Sequence, residues 1–185
     1  MNAYSLQELQ TAATVSRVQN FSAGGKIAVA NESMARAMGY KTIFLSHSHK
    51  DREYALGLKA IIERQGGSLY IDWLDEEMPP VTSRETAERL RVKIVHCFLF
   101  MFLATPNSMT SRWCPWEIGY ADGKKGPDNI VIVPTKDSAG NFYGNEYLQL
   151  YRRLEPSSLR TFSNQAPAPQ VIRPGQYSGV PVQQL

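Results

Sequence analysis

Four apolar runs punctuate the middle of this chain, and hydrophobic residues recur at helical spacing between them. Thr42-Ile43-Phe44-Leu45 halts at Ser46-His47-Ser48-His49, and Ser68-Leu69-Tyr70-Ile71 closes on Asp72-Trp73. Cys97 to Ala104 runs unbroken into Thr105-Pro106-Asn107-Ser108, and Asn129 to Pro134 is Ile- and Val-rich. Short runs without alternation suit strands buried on both faces of a parallel sheet. Tyr54, Leu58, Ile61 and Ile62 mark a helix capped by Ser48 and ended by Gly66-Gly67. Thr82-x-x-Glu85 reads as a capping box opening another, with Ala87, Leu90 and Ile94 along one side. Tyr147, Leu150, Tyr151 and Leu154 share a face and predict a last helix over Glu146 to Leu154. The expected fold is α/β: a mainly parallel central sheet of four to five strands with helices on both faces.

The flanks are patterned differently. Residues 1–40 read as a helical arm packed on the domain, with Leu6, Leu9, Ala13 and Val18 on one face. A break follows at Ser22 to Lys26, then a short helix from Asn31 to Met38. Residues 41–155 form the α/β domain. Residues 156–185 hold five prolines, many Ser and Gln and no acidic residue, the composition of a loosely attached tail. The acidic, proline-bearing segment 74–81 predicts a semi-rigid projecting loop that gates a pocket or touches a neighbouring protomer.

Composition excludes several functions. A net charge of +3 with no basic stripe argues against nucleic acid. The longest apolar run is far short of the roughly 20 residues of a membrane helix. Two cysteines and no secretory pattern at the N-terminus fit a cytoplasmic protein.

In open parallel sheets, ligands sit at the carboxyl ends of the strands. That rule gathers Ser46, His47 and Ser48, then Asp72 and Trp73, then Thr105 and Asn107, onto one rim. The stretch Ser111-Arg112-Trp113-Cys114-Pro115-Trp116-Glu117 joins them. Pro115 suits the first position of a helix, which sets Glu117 in the first turn near the positive end of the dipole. A start at Ser111 would instead place Trp113 and Glu117 on one face, four residues apart. Either way an indole and a carboxylate share a helix start, as a core Trp beside a capping Glu or as part of a site.

The chemistry narrows by elimination. His47-x-His49-x-Asp51 resembles the opening of a binuclear zinc signature, but Arg52 stands where the next histidine belongs and too few ligands remain, so no metal is expected. A Cys114 nucleophile needs a histidine partner, for which His47 is available but not specified. No Gly-x-Gly-x-x-Gly or phosphate-binding loop follows a strand. A single carboxylate among aromatic rings suits cleavage of an N-glycosidic bond to a good leaving group. Nicotinamide leaves NAD+ as a neutral molecule, so no general acid is required. The carboxylate then holds ribose hydroxyls and offsets charge in an oxocarbenium-like state.

The order of these features resembles a TIR (Toll/interleukin-1 receptor) domain over about residues 41 to 154. Phe44-Leu45-Ser46-His47-Ser48 with Asp51 behind it matches the first strand, and Asp72-Trp73 the second. Loop 74–81 is similar to the BB loop, and Ser111 to Glu117 resembles the Ser-x-Trp-Cys-x-x-Glu element of plant and bacterial members. Pro115-Trp116 is bulkier than the usual pair. The resemblance implies a flavodoxin-like fold and NAD+ as substrate with no cofactor. It makes Glu117 catalytic, with Trp113 and Cys114 in the matching neighbouring positions, and these two join the rim residues Ser46, His47, Ser48, Asp72, Trp73 and Asn107 as the expected substrate-binding set. It implies self-association through TIR–TIR contacts and, as in the TIR component of Thoeris-type antiphage systems, a downstream effector that reads a cyclic or linear ADP-ribose product. The competing classes are a non-enzymatic TIR interaction module and another nucleoside N-glycosidase or transferase, which free nicotinamide and the product mass separate.

Overall fold

The runs that lack alternation fold as neighbouring strands of one sheet. The computed structural model describes residues 2–22, 42–75, 78, 83–156 and 168–184. In chain order its elements are β1 (Tyr4–Ser5), α1 (Leu6–Ser22), β2 (Thr42–Ser46), α2 (Arg52–Glu63), β3 (Ser68–Tyr70), α3 (Arg84–His96), β4 (Leu99–Ala104), α4 (Pro106–Met109), α5 (Cys114–Lys125), β5 (Ile130–Lys136), β6 (Phe142–Tyr143), β7 (Arg152–Glu155), β8 (Gln170–Ile172) and β9 (Val180–Pro181). Strands β3, β2, β4, β5 and β7 lie side by side in that order and run parallel. This is the 2-1-3-4-5 order of flavodoxin-like sheets.

Alternate strand residues face opposite layers. Ile43, Leu45, Leu69, Leu99, Met101, Val131 and Val133 meet Leu9 of α1 and Ala55, Leu58 and Ile62 of α2. Phe44, Tyr70, Phe100, Phe102, Ile130 and Ile132 meet Leu90 and Ile94 of α3 and Cys114, Ile118 and Ala121 of α5. Phe44 stacks on Phe100 and Tyr70, each with ring centres 5.6 Å apart. These are its register partners on the two neighbouring strands, where aromatic pairs add to simple burial.

Four expectations are corrected. The sheet is mixed and nine-stranded rather than four- to five-stranded, because β1, β6, β8 and β9 are too short to show a hydrophobic period. The helix expected over Glu146 to Leu154 is a 3-10 turn, Glu146–Leu150, followed by β7. The face expected to be buried is split, with Leu150 68% exposed and Leu154 fully buried, while the free edge of β5 offers Arg152–Glu155 a ladder. The cap of α3 is Ser83, whose hydroxyl accepts from the Thr86 amide, one residue later than Thr82-x-x-Glu85 implied. Residues 170–172 and 180–181, expected in a loose tail, are antiparallel strands of the sheet. The expected break at Ser22 to Lys26, apart from Ser22 itself, and the Asn31 to Met38 helix lie outside the described residues, as does most of loop 74–81. Asp75, where that loop begins, is held by Tyr70 Oη at 2.7 Å and Lys93 Nζ at 3.1 Å.

Helix α1 docks on α2 through Leu9 and Ala13, both buried, whereas Val18 is 61% exposed. The Asn2 amide donates to Glu155 Oε2 at 3.0 Å and ties the chain start to the end of β7. The close approach of the two helices requires Gly57, since a Cβ there would meet the Leu9 carbonyl oxygen at 1.9 Å. Gly57→Ala is therefore expected to destabilise the protein by about 1–3 kcal/mol. Denaturant unfolding checks this, and an unchanged midpoint would mean that α1 is not held here. Among the described residues no helix is long and apolar enough to cross a membrane.

Candidate active site

The strand order reverses between β2 and β4, and a crevice opens at such a point beyond their carboxyl ends. Ser46 ends β2, Thr105 follows β4, and α5 brings Glu117 to the same place. Helix α5 starts at Cys114 with Trp113 as N-cap, so Pro115 is its second residue, where a missing N–H is still harmless. This is one residue before the first of the two starts expected from sequence, and Glu117 remains in the first turn. Ser111 Oγ accepts from the Trp113 and Cys114 amides at 3.2 and 3.4 Å, satisfying donors that the helix start leaves free.

Ile118 and Ala121 anchor α5 on the sheet, which turns Glu117 inward until it is only 6% exposed. The Ser46 hydroxyl donates to Glu117 Oε2 at 2.5 Å. Burial pushes the carboxyl up to about 7, the Ser46 bond opposes that rise, and the negative charge of Asp72 adds to it. Cys114 is fully buried. Burial first, then the Glu117 charge, pushes its thiol up to about 12 against hydrogen bonds from Ser111 and Ser46. A thiol held protonated is no nucleophile.

A second group sits on the β2 and β3 ends. Trp73 Nε1–H donates to His47 Nε2 at 2.7 Å. That nitrogen is therefore bare, and the ring proton sits on Nδ1, which donates to the Leu45 carbonyl at 3.2 Å. Burial lowers the His47 pKa against the pull of Asp72, so the ring is neutral. The Arg52 guanidinium lies 4.9 Å over the Trp73 ring. Asp72 Oδ1 is buried without a hydrogen-bond partner among the described residues. It stands 4.0 Å from His47 Nε2, too far for a hydrogen bond.

Asp51 ties β2 to β4. It is 1% exposed and accepts from Asn107 Nδ2 at 2.6 Å and from the Thr105 hydroxyl. Thr105 in turn caps α4 through reciprocal bonds with Ser108.

The structure thus brings Ser46, Cys114 and Glu117 into one cluster and pairs His47 with Trp73 beside Asp72. Ser48 caps the 3-10 turn His49–Asp51. Asn107 is engaged by Asp51. Trp113 packs edge-on against Trp116, 5.3 Å away, in an aromatic row that continues to Tyr120 and is covered by Arg91. Sequence reasoning missed the structural parts of Asp51 and Ser111. The Ser48-x-x-Asp51 spacing and a serine three residues ahead of the helix start are the signals that could have found them. Among the described residues no three His, Cys, Asp or Glu side chains converge as a metal set.

A relative from Bacillus cereus (strain MSX-D12), named probable 3' cyclic ADP-D-ribose synthase ThsB', is 42% identical over 113 residues. The match covers 59% of this chain and 58% of the relative, so it spans less than two thirds of that protein. A family model described as TIR domain matches residues 43–167, which run from the second residue of β2 through β7 and include every residue of the clusters above. The chain belongs to the TIR-domain family.

Proposed function

We propose that the protein cleaves the bond between nicotinamide and ribose in NAD+, with Glu117 as the catalytic carboxylate. The observation that carries this reading is Glu117 itself, a buried, first-turn carboxylate at the strand-order reversal with its charge unpaired by any basic group among the described residues. Such a group is costly for folding and suited to a transient cation. As the C1'–N bond breaks, its electron pair passes to the pyridinium nitrogen and nicotinamide departs neutral. The positive charge moves onto the ribose ring, where the fixed carboxylate stabilises it. Water then adds to C1' and loses a proton, giving ADP-ribose, or a nucleophilic atom of the same molecule closes a ring. The relative named as a cyclic ADP-D-ribose synthase supports the ring-closing route.

The partnerless Asp72 Oδ1 offers a ribose hydroxyl an acceptor, and the Trp73 ring, fixed by His47 and Arg52, forms a wall. Asn107 and Ser48 act through the turns they hold, and Trp113 through the start of α5. NAD+ incubated with the protein should yield free nicotinamide, and mass spectrometry separates the cyclic product from ADP-ribose, which is heavier by one water. TIR–TIR self-association and a downstream effector that reads the nucleotide belong to the same proposal. No nicotinamide release, even from concentrated and self-associated protein, would leave a non-enzymatic module as the reading.

The pH dependence has a definite sign. Glu117 works as the anion, so kcat/KM should rise as pH passes through about 7 and then level off. Bound NAD+ places a cationic ring near the carboxylate and favours its charged form. The limb in kcat is therefore expected at lower pH than the limb in kcat/KM. Rates measured from about pH 5 to about pH 9 decide this, and a flat profile counts against Glu117.

A further inference from the structure

Ser46 was expected to contact substrate, yet its hydroxyl is already committed. It is 1% exposed, it ends a fully buried central strand, and it donates to Glu117 Oε2 at 2.5 Å across 71 residues of sequence. A serine has one proton to give. Given to Glu117, it leaves Ser46 only its lone pairs, and the buried Cys114 thiol lies beside the pair. Among the described residues no other hydrogen-bond donor reaches this carboxylate, which leaves Oε1 without a donor.

The geometry points to Ser46 as a positioning residue that pins Oε2 of Glu117 and supports its charged form, so that Oε1 alone is presented to substrate. This role rests on the NAD+-cleaving reading of the same site. Burial and Asp72 both disfavour the Glu117 anion, and the Ser46 bond opposes them. Around the cluster stand Cys114 on the same helix and Asp72 after β3, with His47, His49 and Asp51 beyond the end of β2. Asp72 is the charged side chain that acts on Glu117, and it is an acid. Removing Ser46 therefore leaves the anion without its hydrogen-bonded support.

The test is Ser46→Ala beside Ser46→Thr, which keeps the hydroxyl and serves as the conservative rescue. With Ala, the acidic limb of kcat/KM should move up by about one pH unit or more, the scale of a hydrogen bond to a charged group. On the limb, near about pH 6, that is a loss of about tenfold or more, and it nearly vanishes by about pH 9. Thr should keep the wild-type limb. An equal loss at every pH, no loss, or a Thr variant that behaves like Ala overturns the role. In parallel, the Glu117 side-chain carboxyl is titrated by carbon NMR in the full chain, wild type against Ser46→Ala, without NAD+. An upward shift in the variant supports the role, and unchanged titration refutes it. If the Ala variant fails to fold, Ser46→Cys, a weaker donor in similar volume, takes its place with a smaller upward shift expected. Wild-type protein that releases no nicotinamide defeats the functional reading alone, while the titration still decides the part played by Ser46.

Discussion

Glu117→Gln is expected to cut nicotinamide release at least about a hundredfold, the scale of deleting one preorganised electrostatic group, and to make the protein more stable above neutral pH. The two effects share a cause. The folded state holds the Glu117 carboxyl at about 7, above its ordinary 4.5. With a raised pKa, the stabilising contribution is fully present below the ordinary value and is lost as pH rises through about 7. Ionisation inside the fold then costs on the order of 3 kcal/mol, a cost that the neutral amide avoids. Near about pH 4 the two proteins should melt alike, and near about pH 8 the Gln variant should melt higher. Nicotinamide release and melting curves at both pH values check this. A Gln variant that is inactive but less stable at high pH would mark Glu117 as a structural cap. One that keeps more than about a tenth of the activity would remove it from the chemistry.

The second large effect is expected at Asp51. Replacing it with Ala leaves the Thr105 hydroxyl and the Asn107 amide, both at a buried junction, without the acceptor that joins β2 to α4. Hydrogen bonds to a carboxylate contribute about 1.5–3 kcal/mol each, so the loss should reach about 3 kcal/mol or more. The strand-end turn framing the crevice would loosen with it, and NAD+ cleavage should fall beyond what the unfolded fraction explains. Asp51→Asn keeps the shape and one acceptor and should recover much of both. Urea unfolding with parallel rate measurements tests the pair. Wild-type stability in the Ala variant would show that the turn is held by other means.

The parallel core was legible because its strands are apolar on both faces, and Phe44, Phe100 and Ile132 cannot be read as half-exposed. The rim residues followed from the rule for strand ends. What sequence did not convey was depth. Glu117 was read as a first-turn carboxylate favoured by the helix dipole, an effect of a few tenths to about 1 kcal/mol. Burial outweighs both the dipole and the Ser46 bond and reverses the direction of the shift. Position along a helix is local, whereas burial depends on residues 71 positions away. Strand β7 was missed for a related reason. Arg152-Arg153-Leu154-Glu155 looks like a polar helix end until Arg153 is seen tied to Glu155 and to the Gln176 carbonyl at 2.5 and 2.8 Å.

The antiparallel strands beyond β7 also bear on how copies of this chain can meet. A parallel sheet that stopped at β7 would offer a bare ladder to any extended chain, the usual start of uncontrolled fibre growth. Here β8 takes that ladder, and β9 closes over β8 so tightly that a Cβ on Gly179 would meet the Val171 carbonyl oxygen at 2.2 Å. The outermost strand is two residues long and ends in Pro181, which has no N–H to donate. The sheet is sealed on that flank. Assembly by adding a strand is thereby disfavoured on that flank, which leaves the β3 edge, the helices and the loops as the surfaces where copies can meet.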